Sequence, residues 1–242
     1  MSLPFFYTDQ YDSAQRELTL DEDASRHLVQ VLRMKEGEQL HLTDGKGTLL
    51  TTSITDGHKK HCTVRIDATQ GQPRRAQQAI IGISLLKNAS RFEWFLEKAT
   101  ELGVSEIIPL ICDRTEKQKF RRDRLHMILV SAMLQSQQTW LPTLHEPIAY
   151  DLLFRMEETA AAEQKYIAHC LDAEKSSLAR EALKDSIVPA QRKMILIGPE
   201  GDFSIREIEL AMANHFVPVT LGVTRLRTET AGMVAATVLT ID

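Results

Sequence analysis

The sequence predicts an α/β protein: a small β-rich unit followed by a larger domain built on a mainly parallel sheet. Three observations carry that prediction. Residues 1–72 hold β-branched runs separated by glycine turns. From residue 76 onward, apolar strand-like runs alternate with helical patterns. Near the end, two segments each read as strand, glycine turn and helix: Leu196-Ile197-Gly198-Pro199-Glu200-Gly201-Asp202-Phe203-Ser204, and Leu221-Gly222-Val223-Thr224-Arg225-Leu226-Arg227-Thr228-Glu229-Thr230-Ala231. Two such turns lie side by side if their strands are neighbours in one parallel sheet, and ligands bind at the carboxyl ends of such strands.

In the first unit, Leu18–Leu20, Glu38–Thr43, Thr48–Thr55 and Cys62–Ala68 read as strands, with turns at Asp44-Gly45-Lys46-Gly47 and Asp56-Gly57. One helix, Glu22–Arg33, interrupts them, with Ala24, Leu28, Val31 and Leu32 as an apolar stripe at helical spacing. A strand-rich unit with one helix suggests a small barrel. Gly71-Gln72-Pro73-Arg74-Arg75 reads as a linker, so the expected domains are residues 1–72 and 76–242.

In the second unit, Ala79–Leu86 is a buried strand. A helix over Arg91–Leu102 opens on a capping box, Ser90 with Glu93, and buries Phe92, Phe95, Leu96, Ala99 and Leu102. Gly103 stops it. Strands follow at Glu106–Ile111, Tyr166–Cys170, Met194–Ile197 and Val217–Leu221. Helices Arg122–Gln138, Ser176–Lys184, Ile205–Asn214 and Ala231–Leu239 alternate with them.

Composition narrows the class. With 43% hydrophobic and 26% charged residues, the 242-residue chain is that of a soluble globular protein. The apolar block Leu3-Pro4-Phe5-Phe6 is too short for a signal peptide, and the run around Met233–Leu239 is far short of a membrane span. Cys62, Cys112 and Cys170 form no CxxC pair, which fits a reducing cytoplasm and speaks against a zinc site or disulfide framework. The eight histidines show no metal spacing and the serines no nucleophile elbow. The net charge of −4 argues against a generic nucleic-acid coat but not against a local basic face.

The Gly198 turn precedes a second capping box, Ser204 with Glu207, so free backbone N–H groups face the sheet edge. It is neither a P-loop nor GxGxxG, which disfavours ATP and NAD. The bland alternative is an ordinary strand-to-helix connection. In the second turn, Arg225, Arg227 and Glu229 crowd the start of an apolar helix that Thr228 or Thr230 is placed to cap. That is either a salt-bridged surface turn or a site for a polyanion or an electron-rich base. Residues 114–124 hold six basic and two acidic residues at the end of the Glu106–Ile111 strand. This run is either a solvated face or a phosphate contact, with Lys59, Lys60, Arg74 and Arg75 as possible extensions.

With these residues in hand, the chain resembles the RsmE family, bacterial methyltransferases of the knotted SPOUT class that methylate N3 of a uridine in 16S ribosomal RNA. His27-Leu28-Val29-Gln30-Val31-Leu32-Arg33 looks like the family's N-terminal helix. Lys98-Ala99-Thr100-Glu101-Leu102-Gly103-Val104, Pro109 and Arg114-Thr115 resemble its middle motif, and the Gly198 and Leu221–Ala231 segments its two methyl-donor loops. Three points depart from the pattern. Asp202 stands where many members have a second glycine, Leu134-Gln135-Ser136-Gln137-Gln138 replaces Glu-Gln-Ser-x-Arg, and the 114–124 loop is unusually basic.

The resemblance implies a PUA-like RNA-binding barrel, a C-terminal domain whose chain end is threaded into a deep trefoil knot, and S-adenosylmethionine as donor without a metal. It also implies a homodimer with donor pockets at the interface, acting on the small ribosomal subunit. The donor site is expected at Leu196, Gly198, Pro199, Gly201, Leu221, Gly222, Leu226 and Thr230. Arg227 or Arg114 is expected to stabilise the uridine anion, with Glu229 as proton acceptor or as the group that holds an arginine or the helix start. Arg33, Lys117, Lys119, Arg121 and Arg122 are expected to hold RNA. The rival reading is a non-catalytic RNA-binding factor for ribosome assembly.

Overall fold

The computed structural model describes residues 3–116, 119–171, 174–182 and 191–241. The chain divides into two compact units, Met1–Arg74 with Met133–Leu141, and Arg75–Ala132 with Pro142–Asp242. A single division between residues 72 and 76 leaves 133–141 in the second unit, whereas that segment belongs with the first.

The first unit is a sheet of β1 (Phe5–Tyr7), β2 (Glu17–Thr19), β3 (Gln39–Thr43), β4 (Thr48–Asp56) and β5 (Thr63–Gly71), in the order β1-β3-β4-β5-β2. Strand alternation sends Leu40 and Leu42, Leu50 and Ile54, and Val64 into one core with Leu18, Leu20 and Leu28. Two register shifts between β4 and β5 act as bulges, which bend a sheet. The sequence missed β1, a three-residue strand parallel to β3, because so short a run shows no alternation. Strand β5 runs on to Gly71, inside the expected linker.

The expected helix to Arg33 is two pieces. Helix α1 (Glu22–Arg26) is capped by Asp21, whose carboxylate accepts the Ala24 amide at 2.7 Å. His27–Val31 then widens into a π-helical turn, closed by the Leu32 amide donating to the His27 carbonyl at 2.9 Å. The i→i+5 spacing rotates later residues out of a 3.6-residue stripe. Leu28 is buried while Val31 and Leu32 are exposed, so the expected stripe fails after its first turn. In residues 133–141, Trp140 donates from Nε1 to the Gln72 carbonyl at 3.0 Å and carries the Arg74 guanidinium over its ring.

The second unit is an eight-stranded sheet of β6 (Gln78–Ser84), β7 (Glu106–Ile111), β8 (Thr143–Leu144), β9 (Ile148–Ala149), β10 (Gln164–Ala168), β11 (Ser176–Ser177), β12 (Arg192–Ile197) and β13 (Val217–Thr220). Its order is β11-β13-β10-β12-β6-β7-β8, with β9 also on β7, and every described pair is parallel. The central strands are continuous apolar runs because helices cover both faces.

Those helices are α2 (Ala89–Glu101), α3 (Arg122–Gln135), α4 (Tyr150–Leu153), α5 (Glu157–Ala161), α6 (Leu178–Ala182), α7 (Ile205–Ala213) and α8 (Thr228–Thr240). Helix α8 packs on β6, β12 and α2, where Gly232 admits the Phe95 ring. The N-cap of α2 is Asn88, whose side chain accepts the Ser90 amide. The expected Ser90–Glu93 box does not form, and Glu93 instead takes a two-pronged pair from Arg124. The box at Ser204 and Glu207 does form. The expected helix from Ser176 begins with strand β11, and its last residues, 183–184, lie outside the described ones. Among the described residues no helix is long and apolar enough to cross a membrane.

Candidate active site

At the carboxyl edge of the second unit's sheet, β13, β10 and β12 lie in that order. The two glycine turns therefore leave strands that are not neighbours, for β10 stands between them. The loops after all three strands enclose a cleft of about 620 Å³, within the size range of small-molecule sites.

Two hydrogen bonds tie the three loops together. Thr228 Oγ1 donates to the Gly198 carbonyl at 3.0 Å, joining the start of α8 to the end of β12. Asp202 Oδ2 accepts the Cys170 amide at 2.8 Å, joining the Gly198 turn to the loop after β10. Downstream, the Ser204 hydroxyl donates to Asp113 at 2.6 Å, and Arg206 reaches both Asp113 and Asp151. The Ser204 and Arg206 donors hold the Asp113 carboxyl below the usual carboxylate range. Turn and helix start are thus fixed from both sides.

Gly198, Pro199, Leu221, Gly222, Leu226 and Arg227 line the cleft. Leu196 does not: it is fully buried in the core, packed against Gly82 on the adjacent strand. Strand alternation gives its place at the cleft to Ile197. Gly201 lies off the lining and seats Arg114, whose Nη1 donates to the Gly201 carbonyl at 2.6 Å. A Cβ at Gly198 would lie 3.1 Å from the buried Phe203 ring, so a larger residue fits only if that ring gives way; one at Gly222 would meet open space, but its φ of 145° strains any residue with a Cβ.

Thr230 also lies off the lining, one turn into α8. The N-cap of α8 is Arg227, with no side-chain cap bond, so neither Thr228 nor Thr230 caps the helix. Glu229 is buried, with Oε1 at 3.6 Å from Arg91 Nε and no hydrogen-bond partner at Oε2. Arg225 and Arg227 are exposed on the cleft.

Of the expected RNA-binding residues, Arg33 is exposed in the first unit with a left-handed backbone, φ 57°. Lys119 and Arg121 are exposed, Arg122 is exposed and paired with Glu146, and Lys117 lies outside the described residues. Arg75 is engaged elsewhere: its guanidinium donates to the terminal carbonyls of α2 and α8 at Leu102 and Thr240.

The sequence reading missed the β10 loop. Ala168, His169, Cys170 and Lys175 all line the cleft. Lys175 Nζ donates to the His169 and Leu171 carbonyls at 2.8 and 2.7 Å. Burial, reinforced by Lys175, pushes the His169 imidazole below its ordinary pKa of 6.5. The available signal was position: this loop also follows the carboxyl end of a strand.

Such a cleft, open to glycine backbone, walled by Leu221 and Leu226 and edged by two arginines, suits a flat cofactor beside an electron-rich partner. Residues 73–240 match the model of the RNA methyltransferase domain, and residues 20–67 that of the RNA methyltransferase PUA domain. The ribosomal RNA small subunit methyltransferase E of a Synechocystis strain is 30% identical over 220 residues, 90% of this chain and 71% of that protein. The crystal structure of a probable rRNA-methyltransferase from Porphyromonas gingivalis is 34% identical, with a TM-score of 0.86, and the match covers 97% of this chain and 95% of that one. A ribosomal RNA small subunit methyltransferase E from Neisseria gonorrhoeae, bound to S-adenosyl methionine, is 29% identical with a TM-score of 0.80 over 97% and 95%.

Fold and cleft thus define an RNA methyltransferase with a PUA domain. Within that class, the chain belongs to the ribosomal RNA small subunit methyltransferase E family.

Proposed function

We propose that this protein transfers a methyl group from S-adenosylmethionine to N3 of one uridine in the 16S RNA of the small ribosomal subunit. The observation that carries the reading is the three-loop cleft with Arg225 and Arg227 on it, in a chain whose Neisseria relative was crystallised with that donor. The residues fit the donor: Leu221 and Leu226 offer apolar contact, and Gly222 leaves its backbone open. The donor supplies an electrophilic methyl group.

The remaining work falls to the chain. The N3 proton of uridine must pass to water at the open mouth of the cleft, and the resulting anion is spread over O2, N3 and O4. Arg227 stabilises that anion and holds the base in place, where a preorganised cation is most effective. Arg114, seated on the Gly201 carbonyl, adds positive charge from the neighbouring loop. Glu229, buried beside Arg91, holds the start of α8. Gly198 and Pro199 complete the donor wall.

Residues 1–72, joined by 133–141, serve as the RNA-holding domain, with Arg33 on phosphates, and the rest of residues 76–242 as the catalytic domain, whose Lys117, Lys119, Arg121 and Arg122 add contacts. In this reading the chain end is threaded into a trefoil knot and the protein is a cytoplasmic homodimer with donor pockets at its interface. Similarity to the two family models supports the domain roles. The test is methyl transfer with small ribosomal subunits against free uridine: transfer to the particles alone is expected, and equal transfer to free uridine would contradict it.

A further inference from the structure

Asp202 closes the turn that begins at Pro199, donating its amide to the Pro199 carbonyl at 2.9 Å, and it does so with φ 64°. That backbone is relaxed for glycine and strained for residues with a Cβ, least so for Asp and Asn. The carboxylate offsets the strain with two bonds. Oδ1 accepts the Phe203 amide at 2.9 Å, and Oδ2 accepts the Cys170 amide at 2.8 Å, 32 residues away.

The second bond acts where the sheet stops. Pairing of β10 with β12 ends at Ala168 and Ile197, so the ladder does not hold Cys170. Lys175 grips the same loop through the carbonyls of His169 and Leu171, and Asp202 grips it through an amide. Asp202, Cys170, His169 and Lys175 all line the cleft.

We propose that Asp202 is a positioning residue for donor binding: its carboxylate holds the loop at His169 and Cys170 as a wall of the cleft before the donor arrives. The inference rests on the reading of this cleft as the S-adenosylmethionine site. A pocket that is already ordered binds more tightly, because apparent affinity falls with the fraction of protein in the competent form.

The test uses the full chain as wild type, Asp202→Gly and Asp202→Asn. Hydrogen exchange at the Cys170 amide is read without ligand, and S-adenosylmethionine affinity by calorimetry. Glycine relaxes the backbone and deletes both acceptors; asparagine tolerates the same φ but has one oxygen, so it keeps the Cys170 bond only by turning its NH2 group toward the Phe203 amide. Asp202→Gly is expected to speed Cys170 exchange and weaken donor binding, each by about tenfold, with the activity loss falling in donor KM and not in kcat. Asp202→Asn, which can keep one of the two bonds, is expected to fall between wild type and Asp202→Gly on both readouts.

An Asp202→Gly protein unchanged in either readout overturns the proposal. So does an Asn variant in which Cys170 exchange stays at the wild-type rate while donor binding falls as far as in the Gly variant, since charge and not the hydrogen bond would then matter. Wild type that fails to bind the donor overturns the donor reading and the proposal with it, an outcome recognisable because the exchange data need no ligand.

Discussion

The Thr228 hydroxyl donates to the Gly198 carbonyl at 3.0 Å across 30 residues of sequence, and through this bond the helix α8 and the strand β12 share one corner of the cleft. Both residues are buried. Thr228→Val keeps the shape and removes the donor, leaving a buried carbonyl without this partner, at a cost of about 1–3 kcal/mol. Denaturant unfolding should show that loss together with weaker S-adenosylmethionine binding, and Thr228→Ser should recover most of both.

Gly232 sits where α8 crosses the core. A Cβ there would lie 2.7 Å from Phe95 Cε2 and 2.9 Å from Ile83 Cδ1, and both of those side chains are fully buried. Alanine would gain about 1 kcal/mol in helix propensity, but overpacking a core typically costs about 1–3 kcal/mol. Because neither neighbour is free to move, Gly232→Ala should lower the unfolding midpoint; a rise would show that the helix can shift.

Arg227 is exposed on the cleft at the N-cap of α8, where its side chain makes no cap bond. Arg227→Ala should cut methylation of small ribosomal subunits by at least about tenfold while calorimetry finds donor binding preserved. Wild-type turnover in that variant would end its assignment to the uridine anion.

His169 supplies the pH dependence. Its pKa is lowered on folding by burial and by Lys175, so between that lowered value and 6.5 the unfolded chain binds more protons than the folded one. Stability is therefore full above 6.5 and is lost as pH falls below it. Donor affinity should fall in the same direction, since a protonated imidazole repels a cationic sulfonium. Calorimetric titrations at descending pH check this, and His169→Gln should flatten the profile.

How much of this was legible in the sequence depended on the range of the interaction. The five longer strands of the second unit, β6, β7, β10, β12 and β13, the Ser204–Glu207 box and the two glycine turns are local patterns that apolar runs and capping residues mark, whereas the two-residue strands β8, β9 and β11 are too short to show one. Val31 and Leu32 misled because a π-helical turn leaves no mark in residue spacing. Leu196 misled because one step along a strand exchanges core for cleft, and the neighbouring Ile197 is equally apolar. The β10 loop was missed because strand order is set by long-range pairing, which placed β10 between β12 and β13. Thr228 looked like a cap because its true acceptor, the Gly198 carbonyl, is distant in sequence.

The most direct test of the account is to incubate the purified protein with labelled S-adenosylmethionine and small ribosomal subunits that lack the modification, then map the product by mass spectrometry. A single 3-methyluridine in the 16S RNA is the predicted result. Donor binding without any methyl group in that RNA would contradict it.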